Sequence, residues 1–128
     1  MTKTLATIAD YGMGNVLSVS RAFERFDCEI SITDSASAIE NAQFLILPGV
    51  GAFPDGMSEL ERRGLIELVN RFAASCRCFL GICLGMQMML DASEDFGTTK
   101  GLGLIPGKVA AIPKRDAQGH SHKIPHIG

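Results

Sequence analysis

Three short apolar runs in this chain each end in a glycine-bearing turn, and each turn is followed by residues at helical spacing. The runs are Leu5 to Ala9, Phe44 to Leu47 and Cys78 to Ile82. The turns are Asp10-Tyr11-Gly12-Met13-Gly14-Asn15, Pro48-Gly49-Val50-Gly51 and Cys83-Leu84-Gly85. Apolar runs this short, bounded by turn residues, read as strands covered on both faces. Alternated with helices, they predict an α/β chain: a mostly parallel sheet with helices on both faces. Sheets of this kind gather their chemistry in the loops at the strands' carboxyl ends, which is where all three turns are expected.

The segments between fill in the pattern. Val16, Val19, Phe23 and Phe26 recur at three- and four-residue steps and predict one buried face of a helix. Glu29 to Thr33 alternates like a strand, and Ser35 is placed to cap a short helix running to about Asn41. Pro54 suits a first helical turn, Leu65, Leu68, Val69 and Phe72 form an apolar stripe, and Gly64 can divide that stretch in two. Leu84 to Leu90 predicts a helix directly after the third turn. Leu102 to Ile112, punctuated by Gly103, Pro106 and Gly107, reads as strands or a hairpin. No repeat interrupts the chain and no linker is evident before its last fifteen residues, and residues 1–128 read as a single domain.

Composition narrows the function classes. The net charge is −2 with no run of like charge, so nothing electrostatic calls for nucleic acid or an anionic membrane. The first apolar run is broken at Asp10, too short for a signal core or a membrane span. The four cysteines, Cys28, Cys76, Cys78 and Cys83, are then expected to be thiols in a cytoplasmic protein.

Phe79-Leu80-Gly81-Ile82-Cys83-Leu84-Gly85 has the form of a nucleophile elbow, with cysteine where such turns often carry serine. The nucleophile of an elbow sits in a strained turn, and glycines two residues to either side let strand and helix approach. Cys83 would lie at a helix N-terminus, where free N–H groups favour thiolate over thiol. The Leu84 amide would point at an oxyanion forming on an attacked carbonyl. The same pattern fits a small buried cysteine in a βα turn; the strand before and the helix after favour the nucleophile. Pro48-Gly49-Val50-Gly51 can form an anion-binding nest and add a second oxyanion donor, or it can be an ordinary turn.

Other patterns carry less. Gly12-Met13-Gly14-Asn15-Val16-Leu17 has Leu17 where a dinucleotide fingerprint needs glycine, so no nucleotide cofactor is expected. Cys76-Arg77-Cys78 lacks zinc-ligand spacing, and His120, His122 and His126 lie in a polar tail, so no metal is expected either. Glu94 and Asp95 suit solvated carboxylates.

Taken with its neighbours, Gly81-Ile82-Cys83-Leu84-Gly85-Met86-Gln87 resembles the nucleophile motif of the class I, triad-type glutamine amidotransferases. Within that class, Asp10 to Asn15, Pro48 to Phe53, Lys100 to Gly107 and Ile124-Pro125-His126-Ile127-Gly128 are similar to motifs of the glutaminase subunits of imidazole glycerol phosphate synthases. The resemblance implies a flavodoxin-like α/β core, no cofactor, and hydrolysis of glutamine to glutamate and ammonia. It also implies a (β/α)8-barrel cyclase partner that uses the ammonia in histidine biosynthesis. By resemblance, Cys83 is the nucleophile and the Val50 and Leu84 amides form the oxyanion hole. Gly49, Gly51, Gln87 and an acid at or near Glu94 hold the glutamine, and Asn15 faces the cyclase.

One part of the family's pattern is absent. Its general base comes from a His-Pro-Glu motif that these 128 residues do not contain. The expectation is a domain incomplete at its C-terminus, poor in turnover and incompletely folded alone. Two other functions remain in contention: a small peptidase or deglycase of related α/β type, which Gln87 and the first turn argue against, and a non-catalytic module that only binds the cyclase.

Overall fold

A computed structural model of the chain describes residues 4–94 and 96–113. Its first strand, β1 (Thr4–Ala9), lies parallel to β2 (Cys28–Thr33) on one side and to β3 (Phe44–Leu47) on the other, and β4 (Cys78–Gly81) pairs parallel with β3. The order β2-β1-β3-β4 reverses between β1 and β3. That reversal is the switch point at which flavodoxin-like sheets open a crevice beyond their carboxyl ends.

Alternation along β3 explains why both faces are covered. Leu45 and Leu47 join a core with Ile39, Phe53, Leu60, Leu68, Val69, Phe72 and Leu84, while Ile46 packs oppositely with Ala6, Ile8, Val16, Val19 and Phe23. Helix α1 (Val16–Glu24) therefore covers one face. The other is covered by α2 (Ala36–Glu40), α3 (Phe53–Arg62), α4 (Ile66–Ala74) and α5 (Leu84–Met88). The Asn15 side chain caps α1 by accepting from the Ser18 amide at 3.2 Å, and Ser35 Oγ caps α2 through the Ala38 amide at 3.4 Å. Gly64, at φ +68°, separates α3 from α4 as its position suggested.

Two expectations need correction. Phe26 is no part of a buried face: α1 ends at Glu24, and Phe26 is 78 % exposed. The helix after Cys83 stops at Met88, and Leu90 opens a strand, β5 (Leu90–Ser93). Its last carbonyls are taken by residues from further along the chain: Met88 O accepts from Leu102 N at 2.7 Å, and Met89 O from Leu104 N at 2.8 Å. Local periodicity carries no trace of such partners. Of the two readings offered for residues 102–112, the strand holds and the hairpin does not. Both β6 (Thr99–Lys100) and β7 (Ile105–Val109) pair with β5, antiparallel and parallel respectively, making a second sheet of order β6-β5-β7.

Candidate active site

The three glycine-bearing turns meet at the carboxyl ends of β1, β3 and β4. Cys83 is the residue between β4 and α5, and it holds φ 55° and ψ −118°, a left-handed conformation that costs a non-glycine residue about 1–3 kcal/mol. Packing on both sides imposes it. A Cβ on Gly85 would fall on the Leu47 carbonyl oxygen, and one on Gly81 would lie 2.8 Å from Met86 Cα. The elbow is stitched to β3 by Ile82 N donating to Leu47 O at 3.0 Å. Cys83 itself is exposed, so the strained position lies open to solvent rather than in the core.

The Pro48 to Gly51 turn lies against this elbow. Gly49 is buried, and a Cβ there would strike the Tyr11 hydroxyl and stand 3.0 Å from Leu84 Cβ. Both expected oxyanion donors are engaged within the protein in this structure. Val50 N donates to Met13 O at 3.0 Å, and Leu84 N donates to Gly49 O at 3.2 Å. Both bonds are borne by a single peptide unit, Gly49–Val50, through its carbonyl and its N–H. Turning that one unit would free both amides together.

The remaining expected site residues divide into two groups. Gln87 lies one helical turn beyond Cys83, half-buried, its amide donating to Cys83 O at 3.0 Å. Gly51, at φ +116°, is exposed beside Met13. Asn15 belongs to the first turn, where Gly14 approaches Gly49 closely enough that a Cβ would lie 3.3 Å from Gly49 Cα; its side chain is occupied in capping α1. Glu94 stands apart. It follows β5 in the second sheet, is exposed, and pairs with Lys108 Nζ at 2.7 Å. Asp95, the three histidines and Ile124 to Gly128 lie outside the described residues.

Among the described residues no group of three or more His, Cys, Asp or Glu could hold a metal ion, and no helix is long and apolar enough to cross a membrane. A cavity of about 300 Å³ lined by Ala6, Ile30, Ala38 and Gln43 shares no residue with the Cys83 constellation.

Residues 7–128 match the family model described as glutamine amidotransferase class-I. The chain belongs to that family. Among curated relatives, imidazole glycerol phosphate synthase subunit HisH 1 of Legionella pneumophila (strain Lens) is 52% identical over 122 residues, 95% of this chain and 57% of that protein. Subunit HisH of Geobacillus sp. (strain WCH70) is 49% identical over 121 residues, covering 94% of this chain and 57% of the relative. The subunit HisH of Syntrophotalea carbinolica is 44% identical over 125 residues, 97% of this chain and 61% of that protein. The amidotransferase chain thus spans less than two thirds of the length of these relatives. A solved structure, a putative peptidase E protein from Listeria monocytogenes EGD-e, superposes with a TM-score of 0.63 over 80% of this chain and 63% of its own, at 16% identity. That likeness shows the fold alone.

Two groups packed against the Cys83 and Pro48 turns were not singled out from sequence. The Tyr11 hydroxyl donates to Pro48 O in the buried layer below Cys83. Its pKa is raised from the ordinary 10, first by burial and then by the negative charge of an ionised Cys83. The Met13 carbonyl holds the Val50 amide. A lone tyrosine inside a glycine turn gives no local sign of burial, and a backbone carbonyl leaves none at all.

Proposed function

We propose that this amidotransferase chain carries the nucleophile half of a glutaminase whose ammonia is delivered to a cyclase subunit of imidazole glycerol phosphate synthase. The observation that carries the proposal is Cys83 at positive φ between a parallel strand and a helix, with glycines packed too closely on either side to be replaced. Cys83 Sγ attacks the side-chain amide carbon of glutamine. The C–S bond forms as the carbonyl π pair moves onto oxygen, and the oxyanion collapses to a thioester as the nitrogen takes a proton and leaves as ammonia. Water then adds to the thioester, releasing glutamate and restoring the thiol.

The oxyanion needs donors, and the Val50 and Leu84 amides are assigned that role, which requires the Gly49–Val50 peptide to turn away from Met13 O. Removing one such donor typically costs ~10²–10³-fold in turnover. Gly49 and Gly51, in the turn against the elbow, and Gln87, one helical turn beyond Cys83, are assigned to the glutamine. Glu94, assigned to the glutamine by resemblance, would have to give up its ion pair with Lys108 to serve there. Asn15 and the first turn are assigned to the cyclase side, and the cyclase is a (β/α)8 barrel on this reading. The base that would activate Cys83 is not among the described residues.

A second reading is favoured by one observation: both donor amides are spent within the protein. On that reading the chain binds the cyclase without turning glutamine over. A chloroketone that mimics glutamine separates the two. Modification of Cys83 ahead of Cys28, Cys76 and Cys78, slowed by free glutamine, supports the glutaminase. Indifferent labelling of all four, without protection, supports the binding module.

A further inference from the structure

Tyr11 is a buried phenol that the proposed chemistry does not use. It is 1% exposed, and its hydroxyl donates to the carbonyl of Pro48. That carbonyl belongs to the peptide immediately before the Gly49–Val50 unit. The hydroxyl also abuts the bare Cα of Gly49, where a Cβ would collide with it. The three consecutive groups of this turn therefore have distinct holders. Pro48 O is held by Tyr11, Gly49 O by the Leu84 amide, and the Val50 amide by Met13 O. The last two holders must let go for the donors to serve an oxyanion. The first need not, because rotation of the Gly49–Val50 peptide leaves Pro48 O where it is.

We infer that Tyr11 is a positioning residue for glutamine hydrolysis, anchoring Pro48 so that the Gly49–Val50 peptide turns as an isolated unit beneath Cys83. The inference rests on the glutaminase reading for its purpose, while the anchor itself is a statement about hydrogen bonding. Without the hydroxyl, Pro48 O would be left buried with an unmet acceptor, and the turn would shift to find another donor. The motion that frees Leu84 N and Val50 N would then spread into residues 47–48, and the two donors would lose a common geometry. The raised pKa of Tyr11 is consistent with a hydroxyl that keeps its proton, since only the protonated form can donate.

Composition makes the test selective. Tyr11 is the single tyrosine and the chain has no tryptophan, so biosynthetic 3-fluorotyrosine replaces this residue alone, with a more acidic, stronger donor. Amide hydrogen exchange would be followed at Val50 and Leu84, with Leu45 and Ile46, paired inside β3, as internal references. Tyr11→Phe should speed exchange at Val50 and Leu84 by about tenfold relative to the references, the scale of one lost buried hydrogen bond. Fluorotyrosine should slow it. A merely structural tyrosine would move all four amides together, and that result, or fluorotyrosine leaving the ratio unchanged, overturns the inference. If Tyr11→Phe fails to fold, the fluorotyrosine arm decides alone. Failure of the parent chain to take the glutamine-mimicking chloroketone at Cys83 would remove the glutaminase reading while leaving the exchange result intact.

Discussion

Replacing Gly85 by alanine puts a methyl group where β3 and the elbow touch. The added Cβ would land on the Leu47 carbonyl oxygen, 2.7 Å from Leu47 C and 3.0 Å from Pro48 O. These are backbone atoms, so no side chain can swing aside and the elbow must lift off β3. Two hydrogen bonds cross the same gap, Ile82 N to Leu47 O at 3.0 Å and Leu84 N to Gly49 O at 3.2 Å. Losing both costs roughly 1–3 kcal/mol, and forced overpacking about as much again, for a central figure of ~4 kcal/mol. Gly64→Ala is the internal comparison. Its φ of +68° strains alanine, but nothing lies within 4 Å of the new Cβ, so only a left-handed penalty of ~1–2 kcal/mol applies. For a chain of 128 residues each kcal/mol moves the midpoint by roughly 4 °C, giving a drop of ~15 °C for Gly85→Ala against ~4–7 °C for Gly64→Ala. Thermal unfolding followed by circular dichroism reads both. Gly85→Ala melting within a few degrees of the parent, or above Gly64→Ala, would refute the close approach on which the elbow depends.

Other outcomes follow from single contacts. Because the folded chain keeps the Tyr11 proton after the unfolded chain has lost it, stability is intact below pH 10 and falls above it by about 1.4 kcal/mol per pH unit. Denaturant titrations across that range should lose this component in Tyr11→Phe. Arg77 Nη1 bonds Glu40 O at 2.8 Å and Ala42 O at 2.7 Å, and the guanidinium lies 4.3 Å from the Phe72 ring centre. Arg77→Ala should therefore cost ~2–3 kcal/mol in urea unfolding, with Lys recovering part. Phe26→Ser, at a solvent-facing ring, should change stability by less than about 0.5 kcal/mol by the same measurement.

The parts of the molecule legible in the sequence are those governed by local spacing. Phe44 to Leu47 announced a doubly buried strand because every residue in it is apolar, and Gly64 announced a break because little else tolerates its turn. The elbow was legible because Gly81 and Gly85 have a steric purpose at fixed distances from Cys83. What escaped depends on partners far along the chain. The second sheet exists because residues 99–109 return to pair with β5, capturing the carbonyls that would have lengthened α5. Periodicity continues through Leu90 and hides that event. Phe26 failed as a core position because the helical phase ended two residues earlier. The engaged state of the Val50 and Leu84 amides was invisible for a related reason: backbone groups have no letter in a sequence.

The central claim is that Cys83 is a nucleophile set for acyl transfer from glutamine. A γ-glutamyl aryl ester tests it directly, because its leaving group departs without the proton that ammonia requires. Stopped-flow release of the aryl alcohol, with acid quenching and peptide mapping, reads both stoichiometry and site. The account predicts a burst of about one equivalent per chain, a glutamyl thioester confined to Cys83, and loss of both in Cys83→Ala. No burst, or acylation spread evenly over Cys28, Cys76, Cys78 and Cys83, would contradict it.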